Sequence, residues 1–254
     1  DIIGNVQMGF ESGFVEIEVE GEVYPDFAIS MVGSFAEGLL REWEFRGAPP
    51  KFSAKIYRQK KGAPFSVAVE AEGNDLLWRG TSFDHLKGNV DYQNQALKLT
   101  DLKASRGEEK FTGQFIFSPE MKACDFEMKS SFYLPDILAL VGPEISQHAQ
   151  PFRFLGPCLI ESQGFLDLSG KHEHDLTAKF QFQDVAYQWM AFNLLTGSVV
   201  LKGQMLSLPQ IMATLDKGSV SATFNAEETF TDKAHFDLSL FVKQMDLFQL
   251  ITKA

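Results

Sequence analysis

Basic charge is what this chain has too little of. Its 23 Lys+Arg stand against 34 Asp+Glu, a formal net charge of −11. Binding to a phosphate backbone rests on a basic surface that releases counterions, so a nucleic-acid binder is excluded. Cysteine is scarce as well. Cys124 and Cys158 are too few for a disulfide framework and lack metal-ligand spacing, which predicts two free, buried thiols. Long apolar runs are missing: the longest purely apolar stretch, Ile137–Val141, falls far short of the roughly 20 residues that span a bilayer. The chain opens with neither Met nor a basic-then-apolar leader, and the expectation is that any targeting or anchoring segment lies outside it.

Catalytic signatures are equally sparse. The sequence holds no phosphate loop, nucleotide-binding glycine fingerprint, zinc-protease motif or nucleophile elbow. His172 and His174 flank Glu173 in a Lys-His-Glu-His-Asp run, and on a strand both imidazoles would share a face. The run follows Ser169-Gly170, however, so a solvated hairpin tip is the plainer reading. Asp84, Asp101 and Asp136 sit beside turns or helix starts, where capping explains them. The expectation is a nonenzymatic protein without metal or cofactor.

What the sequence does hold is apolar residues at 44%, with 24 Phe, enough to exclude disorder, and an internal repeat. Shifted by 109 positions, residues 75–115 align with residues 184–224 without a gap, and ten of the 41 pairs are identical, among them Asp75/Asp184, Phe83/Phe192, Gly88/Gly197 and Phe115/Phe224. Chance would give roughly two or three. One inserted residue then pairs Phe126 with Phe236 and Met128 with Leu238; upstream, Gly47 falls on Gly156 and Ser53 on Ser162. This divides the chain into a tail of a preceding repeat, 1–46, a first full repeat, 47–155, and a second, 156–254.

Within a repeat the hydrophobic period is two. Val15, Ile17 and Val19 alternate with Glu16, Glu18 and Glu20, an acidic stripe that reads as an ordinary solvated face. The same period places Val67, Val69, Leu97, Leu99, Phe111 and Phe115 on one side of the first full repeat. It does the same for Leu176, Phe180, Phe182, Leu206, Leu208, Phe224, Phe236 and Leu238 in the second. Turn signals at Lys61-Gly62, Gln93-Asn94, Arg106-Gly107, Ser118-Pro119, Lys202-Gly203 and Lys217-Gly218 suit short hairpins. Short helical patterns are predicted at Leu134–Val141, Met245–Ile251 and, more weakly, Phe35–Trp43. The fold expected is mainly β: tandem antiparallel meanders forming one long curved, groove-like sheet, with short helices ending each repeat.

The run Phe83-Asp84-His85-Leu86-Lys87-Gly88, followed by Leu97-Lys98-Leu99-Thr100-Asp101-Leu102 and Gly113-Gln114-Phe115, resembles the C-terminal repeats of the AsmA-like family. Phe192-Asn193-Leu194-Leu195-Thr196-Gly197 repeats the pattern, with Pro209 and Ala222 where the first copy has Thr100 and Gly113. The resemblance implies a repeating β-groove of the bridge-like lipid-transfer kind, in a bacterial envelope protein tethered to the inner membrane by a segment absent here. It implies a periplasmic location and phospholipids as cargo. Further repeats of the same chain, and envelope proteins, would be its partners.

Physics makes such a groove useful. An acyl chain of about sixteen carbons crossing water exposes methylenes worth about 0.8 kcal/mol each, roughly 13 kcal/mol in all. At about 4.8 Å between strands, six strands advance the sheet by roughly 29 Å. The fourteen residues of the inward set are therefore the candidate lipid lining. A different reading of the same alternation is a periplasmic scaffold whose sheet closes on a dry core and whose edges bind proteins of outer-membrane assembly. A closed barrel holding one small apolar ligand is a third, and an array that must leave edges for stacking argues against it.

Overall fold

The computed structural model describes residues 2–24, 42–118, 122–141, 151–171, 173–188, 190–229, 231 and 233–244. The chain divides into two units, Asp1–Met121 and Lys122–Ala254. This division falls inside the first of the two full sequence repeats.

Unit 1 is an antiparallel sheet of Ile2–Gly9 (β1), Phe14–Glu22 (β2), Trp43–Phe45 (β3), Lys51–Arg58 (β4), Ser66–Trp78 (β5), Thr81–Gln93 (β6), Ala96–Arg106 (β7) and Glu109–Ser118 (β8). The strands follow one another in meander order, except that β3 joins β5 beyond the end of β4, pairing Trp43 with Trp78 and Phe45 with Leu76. Unit 2 holds Ala123–Ser130 (β9), the helix Leu134–Val141 (α1), Phe152–Phe154 (β10), Cys158–Asp167 (β11), Asp175–Tyr187 (β12), Met190–Lys202 (β13), Met205–Leu215 (β14), Gly218–Glu227 (β15) and His235–Lys243 (β16). Here β10 takes the place of β3, pairing Phe152 with Tyr187 and Phe154 with Val185. The chain is thus mainly β and built of antiparallel meanders, as the alternation predicted.

Local chemistry explains the hairpins. Asn94 and Gln95 both take positive φ, 51° and 62°, and Arg79 and Gly80 take 47° and 82°. Paired left-handed residues match the right-handed twist of the flanking strands. Gly107 and Gly203 turn the next hairpins at φ 57° and 58°. The turn proposed at Ser118-Pro119 and the helix at Met245–Ile251 lie outside the described residues. So do residues 35–41 of the third helical pattern, and its last residue, Trp43, instead opens strand β3 and stacks on Trp78 at 4.9 Å. Aromatic spacing had disguised a three-residue strand.

The repeat is also a repeat of backbone irregularities. Asp75 and Asp184 have φ of 52° and 47°, and their carbonyls accept N–H bonds from Arg46 and Leu155, both at 2.9 Å. The left-handed residue interrupts the strict alternation, so that Leu76 rejoins the side occupied by Gly73, and Val185 the side of Phe182. Both units bulge where β7 meets β8, between Leu99 and Leu102, and where β14 meets β15, between Leu208 and Ile211. Bulges bend a strand and raise its twist locally. The β6–β7 bulge lies at Lys87/Asn89, whereas its counterpart lies at Ser198/Val200. Pro209, in place of Thr100, has no N–H for that ladder, which accounts for the displaced pairing.

One sequence equivalence needs correction. Phe52 pairs Ala71, and Ile160 pairs Phe180, which is the counterpart of Ala71. Phe52 therefore corresponds to Ile160, and Ala54 rather than Ser53 to Ser162. Gly47 and Gly156 keep their match, since each lies against the same carbonyl, Asn74 or Gln183. One residue is missing between the two anchor points.

Candidate functional site

Cross-strand registers sort the side chains of each unit onto two faces. In unit 1, Val6, Ile17, Ile56, Val67, Tyr92, Leu97 and Phe117 form one row of opposed partners. Val19, Ala54, Val69, Val90, Leu99 and Phe115 form the next. In unit 2, Met128, Ser162, Ala178 and Val199 run across the sheet, as do Phe126, Gly164, Leu176, Leu201 and Leu206. The rows continue through Leu208, Phe224 and Leu238, and through Ala226 and Phe236. All fourteen sequence-predicted lining residues fall on this apolar face of their own unit. Val67, Val69, Leu97, Leu99, Phe111 and Phe115 share the face of unit 1, and the other eight that of unit 2.

Close packing along the face depends on small residues beside large ones. A Cβ on Gly197 would meet Phe180 Cζ at 2.5 Å, and one on Gly88 would meet Leu102 Cδ2 at 2.4 Å. The large side chains lie flat across the glycines of the neighbouring strand, which keeps the surface continuous.

Burial runs along the strands rather than through a second layer. At one end, Leu76, Phe83 and Ala104 in unit 1 and Val185, Phe154, Cys158 and Ala213 in unit 2 are buried. In unit 2 Tyr133 and Leu134, at the start of α1, pack on Phe154, Cys158 and Val185 there, and the Tyr133 hydroxyl donates to the Phe154 carbonyl at 2.7 Å. Toward the other end the side chains stay half-buried, and Tyr92 is 40% exposed. Among the described residues each unit has one sheet and no second sheet stacked on it. Only Phe83, Phe132 and Phe154 of the described phenylalanines are buried, so these rings do not assemble a dry core. Phe236 and Leu238, on strand β16, are 73% and 64% exposed.

The opposite face is charged. Lys55 bridges Glu16 and Glu18 at 2.6 and 2.8 Å, and hydrogen bonds to those carboxylates push its ammonium above the usual lysine range. Lys87 meets Glu70 at 2.7 Å, and His85 meets Glu72 at 2.9 Å. The acidic stripe foreseen in β2 is thus partly answered by lysine from β4, as on an ordinary solvated surface. In unit 2 a shallow depression of about 380 Å³ opens among Glu161, Lys179, Gln181, Ser198 and Gln210, whose side chains belong to this polar face.

Both thiols are buried and free, and desolvation pushes Cys124 up. Asp167 caps the loop after β11, accepting from the Ser169 and Glu173 N–H groups at 2.7 and 3.3 Å. Hydrogen bonding to Ser169 holds its carboxyl well below the usual range. His174 Nδ1 accepts from the Asp167 N–H at 3.2 Å, which fits the hairpin-tip reading, while His172 lies outside the described residues. Among the described residues no group of three His, Cys, Asp or Glu is placed to hold a metal ion, and no helix is long and apolar enough to cross a membrane.

Alternation in the sequence also marks Ile17, Ile56, Val90, Leu195 and Ile211 as part of the apolar face. It missed the contribution of β3 and β10, too short to show a period. Comparison with protein-family models, with curated proteins and with solved structures gives no match.

Proposed function

We propose that this chain is a nonenzymatic β-groove segment that binds or conducts phospholipid acyl chains along its apolar face, within an AsmA-like protein of the bacterial envelope. The observation that carries the reading is an apolar face continuous across each meander, with side chains buried at one strand end and half-buried toward the other. A methylene chain laid on such a face escapes most of the cost of crossing water, about 0.8 kcal/mol per CH2. The buried end shields it, while the more exposed end leaves a polar headgroup in solvent. The motif resemblance around Phe83–Gly88 and Phe192–Gly197 supports a periplasmic setting between membranes and further repeats as neighbours.

Native mass spectrometry of the purified chain, with Phe115→Glu and Phe224→Glu beside it, tests the reading. We expect co-purifying phospholipid in the parent and at least a fivefold loss in each variant, with thermal unfolding still cooperative. A carboxylate on a half-open face can stay hydrated, whereas an unpaired charge in a closed core costs about 3–5 kcal/mol. Absence of lipid from the parent, or outright unfolding of both variants, would favour the scaffold with a dry core.

A further inference from the structure

The apolar face of unit 1 carries three charged side chains among the paired positions of its strands. Arg106 and Glu109 sit opposite each other at the ends of β7 and β8 and neutralise one another, Nε to Oε2 at 2.5 Å. The third, Arg58, closes the alternation Phe52, Ala54, Ile56 at the end of β4, opposite Val15. It has no carboxylate partner among the described residues. Its Nε donates to the Gly13 carbonyl at 3.0 Å, and its Cζ lies 4.6 Å from the centre of the Phe65 ring.

Both contacts hold the guanidinium in place without neutralising it. The hairpin tips behind it are tied together, Lys61 N–H to the Ser12 carbonyl at 2.9 Å. They add Lys60 and Lys61 against the single carboxylate of Glu11. Arg58 is half-buried, at the end of the strands where the face stays open, beside the 43% exposed Phe65. An unneutralised cation on an oily surface is costly unless an anion joins it. A guanidinium with one of its five N–H donors fixed presents the others in a planar fork suited to phosphate. In a chain of net charge −11 such a placement is selective for its position.

We infer that Arg58 is a phosphate-binding residue: it takes the phosphodiester of a phospholipid whose tails lie on Ile56, Val67 and Leu97. This inference rests on the lipid reading above and adds where the headgroup is held. At the matching strand register unit 2 carries Leu166 instead, opposite Cys124.

Binding of dioctanoylphosphatidylglycerol and of dioctanoylglycerol to the whole chain, measured by calorimetry below their micelle-forming concentrations, separates the headgroup from the tails. The parent should bind the phospholipid about tenfold more tightly, the worth of one charge-assisted contact. Arg58→Gln should bring that ratio close to one without altering the affinity for dioctanoylglycerol, and Arg58→Lys should keep part of it. A ratio of one in the parent, which needs no variant to fold, overturns the inference, as does a ratio unchanged in Arg58→Gln. Inorganic phosphate binding as tightly as the phospholipid would show that the tails contribute nothing, and would overturn the lipid assignment of Arg58. If neither dioctanoyl compound binds, the groove reading falls together with the inference, an outcome distinct from tail binding that ignores phosphate.

Discussion

Four successive strands match in length between the two units and differ in what they carry. β5 and β12 both have 13 residues, β6 and β13 have 13, β7 and β14 have 11, and β8 and β15 have 10. Yet the charged pair Arg106–Glu109 becomes Leu215–Gly218 at the same register, and Arg58 becomes Leu166. The apolar face of unit 2 carries no charged side chain at its paired positions. Backbone features, namely the left-handed aspartates, the two-residue hairpins and the bulges, are thus what specify the meander. Side chains on the open face vary without disturbing it, because few of them are locked in a close-packed interior.

Gly164 offers the sharpest way to break this equivalence. It occupies the position held by Ile56 in unit 1, but with φ of 148° and with the Asp175 carbonyl 2.2 Å from where a Cβ would stand. Gly164→Ala should destabilise unit 2 by about 2–3 kcal/mol, while Ile56→Ala should cost about 1 kcal/mol. Chemical denaturation followed by strand circular dichroism checks both. Equal effects would mean that the two positions are interchangeable after all.

A smaller contrast lies in pH. Asp167 has its carboxyl held low in the folded state, so it contributes stability above the ordinary carboxylate range, and that contribution is lost as the pH falls below about 4 toward the folded value. The sign follows from the depressed direction: the unfolded state binds the proton first. Asp167→Asn should lower the melting temperature at pH 6 and reduce the further drop between pH 5 and pH 3. A parent and variant with parallel pH profiles would contradict the assignment.

The smallest effect is expected from Asp75→Gly and Asp184→Gly. Each relieves a left-handed non-glycine backbone, and each should change stability by no more than about 0.5–1 kcal/mol in the same direction. Opposite signs would show that the shared φ conceals different side-chain roles.

Much of this was legible in the chain itself. Alternation such as Leu176-Ala178-Phe180-Phe182 marks a half-buried strand whatever surrounds it, so the meander and all fourteen face residues could be placed. The helix at Leu134–Val141 followed from its apolar run and Pro135. Three-residue strands were illegible, since Trp43-Glu44-Phe45 shows too little period to separate from a helical fragment, and only pairing with Leu76–Trp78 decides it. The alignment of Ser53 with Ser162 failed because the residue that the second copy lacks between Gly156 and Ile160 is invisible to an ungapped comparison. Arg58 was in plain view at the end of Phe52-Ala54-Ile56. A charge ending an alternation resembles any strand terminus, and its significance required knowing that no carboxylate among the described residues meets it.

That missing residue also sets a rule for lengthening or trimming such an array. The two copies change length between Gly47 and Phe52, against Gly156 and Ile160, where the chain has left one ladder and not yet settled in the next. The same deletion within β12 or β13 would transpose every downstream side chain of that strand, turning Phe180 and Phe182 outward to water and Lys179 and Gln181 inward. Single-residue changes in length are therefore tolerated at the joints and at bulges, while the regular stretches of the strands accept only changes in pairs.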